Sequence, residues 1–304
     1  MIQRLKSLSI KARVTLLTLA TFIAGLWILF FFIQHNLQKD IQHLASEQQY
    51  TTANIVANEI NEQLNDRINV LKGVATLIDS AVMADQAALQ TFMMQRPGLE
   101  RLFNQGFFIT DAQGKAVASV PIEMGRVNLN YSDLPHIAET LKDKKVRISS
   151  PLIGKLINNP VFHFVTPILD ENNHLLGTLV GAINLAQPNF LDKITRMPYG
   201  KTGGYVLIDA TTRTIITATD STLIMKQFLE GENLLADRFM LGFEGSGISS
   251  HLGKVEVLAS GKSISAANWR IIAILPTAEA FAPIKTMQQR TWFITLFVGS
   301  RLVG

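Results

Sequence analysis

Three short segments of the sequence contain residue types that catalyse reactions in other proteins. Residues 245–247 (Gly-Ser-Gly) place a serine between glycines but lack the flanking residues of a nucleophile elbow, so they are interpreted as a turn. Residues 200–202 (Gly-Lys-Thr) resemble the end of a phosphate-binding loop, but Thr195 stands where that loop needs its earlier glycine. Residues 170–171 (Asp-Glu) lie where a hairpin turn is expected. The sequence therefore predicts no enzyme.

The sequence also predicts no metal site and no cofactor. Cysteine is absent, which excludes disulfides, thiol catalysis and cysteine-bound metals. His136, His163 and His174 do not have the spacing of metal ligands. The net charge of +4 is too small to indicate a nucleic-acid partner. With 47% apolar and only 17% charged residues, the composition instead indicates a membrane segment beside a globular part.

An apolar run near the N-terminus predicts a transmembrane helix. Residues 14–33 contain no charge and no proline, and a run of about 20 such residues spans a bilayer core. Four basic residues and no acidic residue precede it, which places the N-terminal end in the cytoplasm. A cleavable signal peptide is the alternative, but the run is long for one and lacks a small-residue cleavage site.

The C-terminus contains a second apolar segment. Residues 291–298 (TWFITLFV) follow Lys285 and Arg290, and Arg301 interrupts the run. About a dozen residues are too few to span a bilayer. We expect a second membrane helix that these residues contain only in part, with a short amphipathic tail as the alternative.

A helical pattern extends from Leu37 to about Arg96, and residues 97–98 (Pro-Gly) are expected to end it. Apolar residues recur in it alternately four and three positions apart, as in a heptad seam. The seam predicts either a stalk that dimerises or a helix that packs on its own domain. Its members are Leu64, Ile68, Leu71, Ala75, Ile78 and Val82.

The rest of the chain contains an internal repeat. Residues 106–111 and 204–209 each begin with Gly-aromatic and end in Asp, and each is followed by a turn and a short strand-like run. A second predicted hairpin follows in each half, at 161–185 and at 255–275. Two hairpins that flank a helix-and-loop insert predict an antiparallel sheet with helices on its faces.

The predicted fold is therefore α+β, with two tandem antiparallel-sheet modules that follow a long stalk helix. The predicted boundaries are a cytoplasmic basic N-terminus at 1–13, a transmembrane helix at 14–33, a long signalling helix at 34–98, a membrane-distal module at 99–188, a membrane-proximal module at 189–284, and an exit helix with a partial second transmembrane helix at 285–304.

This layout resembles the double Cache (PDC-type, PAS-like) sensor family across residues 34–290. The matching segments include 131–136 (YSDLPH), 146–151 (VRISSP), 176–185 (LGTLVGAINL) and 200–209 (GKTGGYVLID). The exit segment from Leu275 to Arg290 resembles that of sensors attached to cyclic-di-GMP enzymes. No GGDEF-like or EAL-like motif occurs in these 304 residues. The resemblance implies such an output for the parent protein, not for this chain.

The resemblance implies a pocket for a small polar or anionic solute in the distal module. Leu134 stands where many relatives have arginine, and the Arg-x-Trp-aromatic cluster of amino-acid-binding relatives is absent, so an amino-acid ligand is not expected. The polar residues expected around this pocket are Tyr131, Asp133, His136, Arg147, Ser149, His163 and Asn184.

For Arg147, Asp133 and His163 a structural role is the alternative to ligand binding. Arg147 could fork to a ligand carboxylate or pair with a surface carboxylate. Asp133 could accept from a ligand amine or cap the following helix. His136 could donate or accept, depending on its protonation. His163 shares a strand face with Val161 and Val165, which is either the pocket or the core.

The predicted function is signal input: an extracytoplasmic small-molecule sensor in the bacterial inner membrane, with residues 34–290 in the periplasm. The expected partners are the solute, the membrane and a second copy of the chain. The alternatives are the input domain of a histidine kinase or chemotaxis receptor, a periplasmic domain that binds a protein partner without sensing, and a periplasmic hydrolase. The last would need a nucleophile and a base, which the sequence does not reveal.

Overall fold

The computed structural model describes residues 10–195, 197–251 and 255–284. Contacts divide the chain into two compact units, and Gln48–Glu279 forms the unit that contains both sheets. Residues 1–9 of the predicted basic N-terminus lie outside the described residues. The predicted exit helix and partial second transmembrane helix, 285–304, lie outside them as well.

The first helix, α1, covers Ile10–Ala75 and contains no proline that would interrupt it. Its N-terminal part includes the apolar run 14–33. Among the described residues it is the one helix that is long and apolar enough to cross a membrane, judged by length and composition.

The helix does not continue to Pro97 as expected but ends at Ala75. Two aspartates start new helices in the segment that follows, because their carboxylates cap free backbone amides. Asp79 accepts from the Val82 amide, and Asp85 accepts from two amides of the next helix. Pro97 begins a helix rather than ending one, since the first helical turn needs no proline N–H. The short helices are α2 Ser80–Ala84, α3 Gln86–Met94 and α4 Pro97–Leu102.

The predicted heptad seam is buried within the chain's own core. Leu64, Leu71 and Ile78 are at most 1% exposed. They join an apolar cluster that also contains residues of both sheets. The seam therefore packs on its own domain, which is the second of the two predicted alternatives.

The first sheet lies within the first module, residues 99–188, and has the strand order β2-β1-β6-β5-β3, with β4 paired to β5. All pairings are antiparallel. Helix α5, Pro135–Asp143, belongs to the insert between the two hairpins. The strands are β1 Phe107–Asp111, β2 Ala116–Val120, β3 Arg147–Ile148, β4 Leu152–Ile153, β5 Pro160–Leu169 and β6 Leu175–Asn184.

The second sheet lies within the second module, residues 189–284, and repeats the arrangement in the order β8-β7-β11-β10-β9. Residues 245–247, which the sequence predicts as a turn, instead begin β9, because the segment pairs along β10. The helices of this module are α6 Asp192–Thr195, α7 Leu234–Met240 and α8 Thr277–Ala280. The strands are β7 Gly204–Asp209, β8 Thr214–Ala218, β9 Gly245–His251, β10 Val255–Ile264 and β11 Trp269–Pro276.

Alternation along the strands gives each sheet two buried faces. In β1, Phe107 belongs to the cluster that includes α1, whereas Phe108 belongs to a separate cluster on the opposite face. In β7, Tyr205 and Val206 divide in the same way. The sequence repeat therefore corresponds to a repeated arrangement of buried side chains. In each module, the second face of the sheet can carry a site.

Candidate sensor site

The candidate site is a cavity of about 30 Å³ on the second face of the first sheet, called here the first-module cavity. Its walls combine strands β1, β5 and β6 with the segments around residues 124–134 and 152–157. Most of the lining is apolar. Its polar side chains are Gln105, Arg126, Tyr131, Lys155 and His163.

Backbone hydrogen bonds hold the segment that carries Tyr131 against the first hairpin. The Asn128 amide donates to the Ala116 carbonyl, and the Tyr131 amide donates to the Gly114 carbonyl. The Tyr131 ring then lies 4.6 Å, centroid to centroid, from the ring of Phe108. This packing buries the phenol, and burial raises its pKa above the ordinary range. Tyr131 is therefore a neutral hydroxyl in the cavity wall.

Arg126 is the most enclosed charged group of the site, with only 4% of its surface exposed. Its guanidinium donates to the Gln105 carbonyl at 2.5 Å and to the Ser119 hydroxyl at 3.3 Å, and it lies 5.4 Å from the centroid of the Phe108 ring. Burial lowers the pKa of Arg126, although a guanidinium keeps its proton in proteins. Among the described residues, no carboxylate forms an ion pair with it.

His136 and His163 form an imidazole pair beside the cavity, with Nε2 of His136 2.9 Å from Nδ1 of His163. One ring must donate and the other accept, so they cannot both be protonated. Burial lowers the pKa of His136 to about 4. Burial, with His136 and Arg126 nearby, lowers the pKa of His163 well below its usual range. Both rings are therefore neutral at pH 7.

Lys155 closes the cavity through a contact with Asp133. Its ammonium donates to the Asp133 carboxylate and, at 2.7 Å, to the Asn130 carbonyl, and it lies 5.1 Å from the centroid of the Tyr131 ring. The hydrogen bond from Lys155 lowers the pKa of Asp133. The Asp133 side chain is 65% exposed and does not cap the next helix. It therefore positions Lys155 from outside the cavity.

Two of the predicted residues support lining residues from behind. The Ser149 hydroxyl accepts from the His163 amide at 2.9 Å, which fixes β5 at the cavity. The Asn184 amide donates to the Gln105 side-chain oxygen at 2.9 Å. Neither lines the cavity itself.

Arg147 does not line the first-module cavity. Its guanidinium instead forms ion pairs with Glu139 at 3.0 Å and with Asp143 at 2.5 Å, on the outside of α5. This is the surface pairing that the sequence offered as the alternative. The hydrogen bond from Arg147 lowers the pKa of Asp143 to about 2.

Of the seven predicted residues, Tyr131 and His163 line the cavity. Sequence reasoning missed Gln105, Arg126 and Lys155. The signal for Arg126 is weak, since it follows the left-handed Gly125 in an irregular segment with no strand periodicity. Its exposure and direction depend on the fold of residues 121–131 against β2.

The second module has larger cavities on its equivalent face. Two spaces of about 290 and 410 Å³ share Leu223. The first also contacts Val206 and Val257, and the charged residues of the second, Lys226 and Glu232, are exposed. No lining residue of either space is a buried ion, within the described part of the chain.

Two antiparallel sheets packed on one long helix, with a cavity that contains buried polar groups on the second face of the first sheet, define a tandem sensor domain. The chain belongs to the Cache domain family, whose dCache_1 model matches residues 34–284. Cache domains are extracytoplasmic ligand-binding sensors and not catalysts, so this chain is not an enzyme. No curated protein sequence matches the chain significantly.

Solved structures share the fold at low sequence identity. The ligand-binding domain of the Pseudomonas fluorescens chemoreceptor CtaA, in complex with L-serine, is 16% identical with a TM-score of 0.61, and the match covers 79% of this chain and 98% of that one. The Pseudomonas aeruginosa amino-acid chemoreceptor PctC, in complex with GABA, is 15% identical with a TM-score of 0.59, covering 76% and 99%. An extracellular domain assigned to the histidine kinase mmHK1S-Z2 is 12% identical with a TM-score of 0.61, covering 78% and 99%.

Proposed function

We propose that residues 34–290 are the periplasmic input domain of a signalling protein in the bacterial inner membrane, and that a small polar or anionic solute binds in the first-module cavity. One observation carries this proposal. Buried polar groups converge on a mostly apolar cavity on one face of the first sheet, a combination typical of small-molecule sites. Tyr131 and His163 face the solute, whereas His136, Asp133, Ser149 and Asn184 hold the wall in place.

The proposed mechanism is a shift between two arrangements of the domain. A ligand changes their populations only as far as it binds one better than the other. The first-module cavity and helix α1 contact opposite faces of the same sheet. A change in the curvature of this sheet would therefore reach the helix, which continues into the apolar run 14–33. We propose that two copies of the chain act together as a dimer.

Ligand binding is tested by thermal unfolding of the full chain in lipid nanodiscs against a broad library of metabolites. A solute that binds the folded state raises the melting temperature in proportion to the logarithm of its concentration. If no solute in the library changes the melting temperature, sensing through this cavity is excluded.

The proposed topology is tested by labelling introduced cysteines, since the chain has none of its own. Ser132→Cys lies on an exposed residue of the first module, and Lys6→Cys lies before the apolar run. In intact spheroplasts, a membrane-impermeant maleimide should label Ser132→Cys and not Lys6→Cys. The reverse pattern, or equal labelling, contradicts a periplasmic sensor.

We propose a cyclic-di-GMP enzyme as the output, on the resemblance of the exit segment 275–290. A histidine kinase or chemoreceptor is the second candidate, because the solved domains with this fold include both types. Reading the coding sequence beyond residue 304 distinguishes the two candidates. A GGDEF-type module supports the first candidate, and a kinase core or a methyl-accepting coiled coil supports the second.

A further inference from the structure

The first-module cavity contains a buried positive charge for which the described part of the chain supplies no counter-ion. Within that part, the guanidinium of Arg126 donates to two neutral oxygens, the Gln105 carbonyl and the Ser119 hydroxyl. Buried charges in proteins are normally paired, because removing an ion from water is costly. No described carboxylate forms an ion pair with Arg126. An anionic ligand would supply the missing partner.

The remaining lining offers no site for a ligand cation. No aspartate or glutamate is among the residues that line the cavity. Asp133, which precedes the lining residue Leu134 in the chain, is mostly exposed and already holds Lys155. Tyr131 and His163 are neutral at pH 7, for the reasons given above. A ligand ammonium would therefore meet the charge of Arg126 with no carboxylate to offset it.

The dimensions of the cavity limit the ligand further. Its volume of about 30 Å³ is about two to three times the space that one water molecule needs in a cavity. The enclosed space therefore holds little more than a carboxylate. Much of the rest of the lining is aliphatic. It therefore favours a ligand whose remaining part is short and apolar over one that carries a second charged group. The aliphatic side chains are Leu134, Leu152, Leu156, Ile157 and Val161.

Building on the proposed function, we propose that the first-module cavity is selective for short monocarboxylates that lack an ammonium group, with Arg126 binding the carboxylate. The planar guanidinium can donate two parallel hydrogen bonds to the two carboxylate oxygens. The hydroxyl of Tyr131 and the ring of His163 line the same space and can donate to the same group. Among the described residues, none that lines the two larger cavities of the second module is a buried cation, so the selectivity belongs to the first module.

Three solutes with the same three-carbon skeleton test the proposal. Sodium propionate, L-alanine and propionamide are added to the full chain in nanodiscs, with sodium chloride added to equal ionic strength. L-Alanine adds an ammonium, and propionamide removes the charge. Propionate should raise the melting temperature progressively, whereas the other two should leave it unchanged. An equal or larger rise with L-alanine or propionamide overturns the proposal.

Two arginines of the same module provide a matched pair of variants. Arg126→Gln should abolish the response to propionate. Arg147→Gln removes the same charge from the ion pairs on α5 and should leave the response unchanged. If Arg126→Gln does not fold, Arg126→Lys retains the charge but loses the planar fork, and the Kd for propionate should rise at least about tenfold. An unchanged response to propionate in whichever Arg126 variant folds places the anion elsewhere.

Failure of this inference is distinguishable from failure of the proposed function. If solutes other than carboxylates raise the melting temperature by binding at Tyr131, and carboxylates do not raise it, the domain is a sensor and the carboxylate inference is wrong. If no solute of any class raises it, both are wrong.

Discussion

The ring of Phe162 in β5 stands edge-on to the indole of Trp269 in β11, with centroids 5.2 Å apart and ring planes at 82°. Both side chains are at most 1% exposed. Phe162 belongs to the first sheet and Trp269 to the second, so this pair joins the two modules. The apolar cluster that contains them also includes Leu64 and Leu71 of helix α1. The two modules therefore share one core.

A shared core predicts that the modules unfold together. Phe162→Ala should lower the free energy of unfolding by about 3–5 kcal/mol, because it leaves a cavity in this core. A double-mutant cycle with Trp269→Leu should give a coupling energy of about 0.5–1.5 kcal/mol. Denaturant unfolding should show a single transition in every variant.

The control for this cycle is Phe243→Ala. Phe243 stacks on Phe239, with centroids 5.8 Å apart, and both lie within the second module. Its effect should add to that of Phe162→Ala without coupling. Two separate transitions in the wild-type chain would show that the modules are independent.

Gln49 should anchor helix α1 to the second sheet. Its side chain is fully buried, and its amide donates to the Leu258 and Ala273 carbonyls at 3.0 and 3.1 Å. Its oxygen accepts from the Ser260 hydroxyl at 3.1 Å. Gln49→Ala should lower the free energy of unfolding by about 1–3 kcal/mol, because these polar groups lose their partner in a dry site.

Gln48→Ala is the matched control, since Gln48 is exposed on the same helix. Its effect should remain within about 0.5 kcal/mol. Equal effects of the two substitutions in a urea titration would contradict the anchoring role of Gln49.

The carboxylate of Glu279 should hold α8 against the loop before β7. It accepts from the Lys201 amide at 2.6 Å, and from the Thr202 amide at 3.0 Å and hydroxyl at 2.6 Å. Gly200 has φ of +67°, and a Cβ there would lie 2.6 Å from the carboxylate, so the loop requires glycine. These hydrogen bonds lower the pKa of Glu279.

Glu279→Ala should accelerate hydrogen exchange at the amides of Lys201 and Thr202, because both lose their acceptor. Exchange in the first sheet should not change. Glu232→Ala, at an exposed glutamate of the same module, is the control and should leave both amides protected. Unchanged exchange in Glu279→Ala would show that the loop holds without the carboxylate.

The imidazole pair predicts a loss of stability in mild acid. The folded-state pKa of His136 is about 4, below the ordinary value of 6.5, so the unfolded chain takes up the proton first. The associated stability is fully present above about pH 6.5 and is lost as pH falls toward 4. The shift corresponds to at most about 3 kcal/mol.

His136→Gln should flatten the stability curve between pH 6.5 and 4, measured by denaturant unfolding at fixed ionic strength. His174→Gln is the control, because His174 is exposed and pairs only with Asp170 among the described residues. If the stability curve of His136→Gln is as steep as that of the wild type, other groups cause the acid sensitivity.

The strands of both hairpins in each module could be predicted from the sequence, because their causes are local. A short apolar run and a turn-capping Asp predict strands at 106–111 and 204–209, and the structure has them at Phe107–Asp111 and Gly204–Asp209. Asp111 accepts from the amides of Gln113 and Lys115 in its turn. Hydrogen bonds between neighbours in sequence need no tertiary information.

Strand β9 could not be predicted in this way, since Gly245 and Gly247 favour a turn locally. Pairing along β10 decides the conformation, and Gly247 leaves space for the side chain of Leu235. The end of helix α1 is a similar case. Its apolar spacing continues through Ile78, but the caps at Asp79 and Asp85 and the packing of α3 on β2 divide the segment into short helices.

The sequence by itself determined the fold class, the duplication and the apolar N-terminal run, because periodicity and turn chemistry act over a few residues. Only the tertiary structure decided which arginine faces the cavity. Arg147 lies close in sequence to Asp143, which captures it on the surface. Arg126 is buried because residues 121–131 fold back against β1 and β2, an approach that no local pattern encodes. The charge of a site depends on side chains from distant parts of the chain, and these come together only in the tertiary structure.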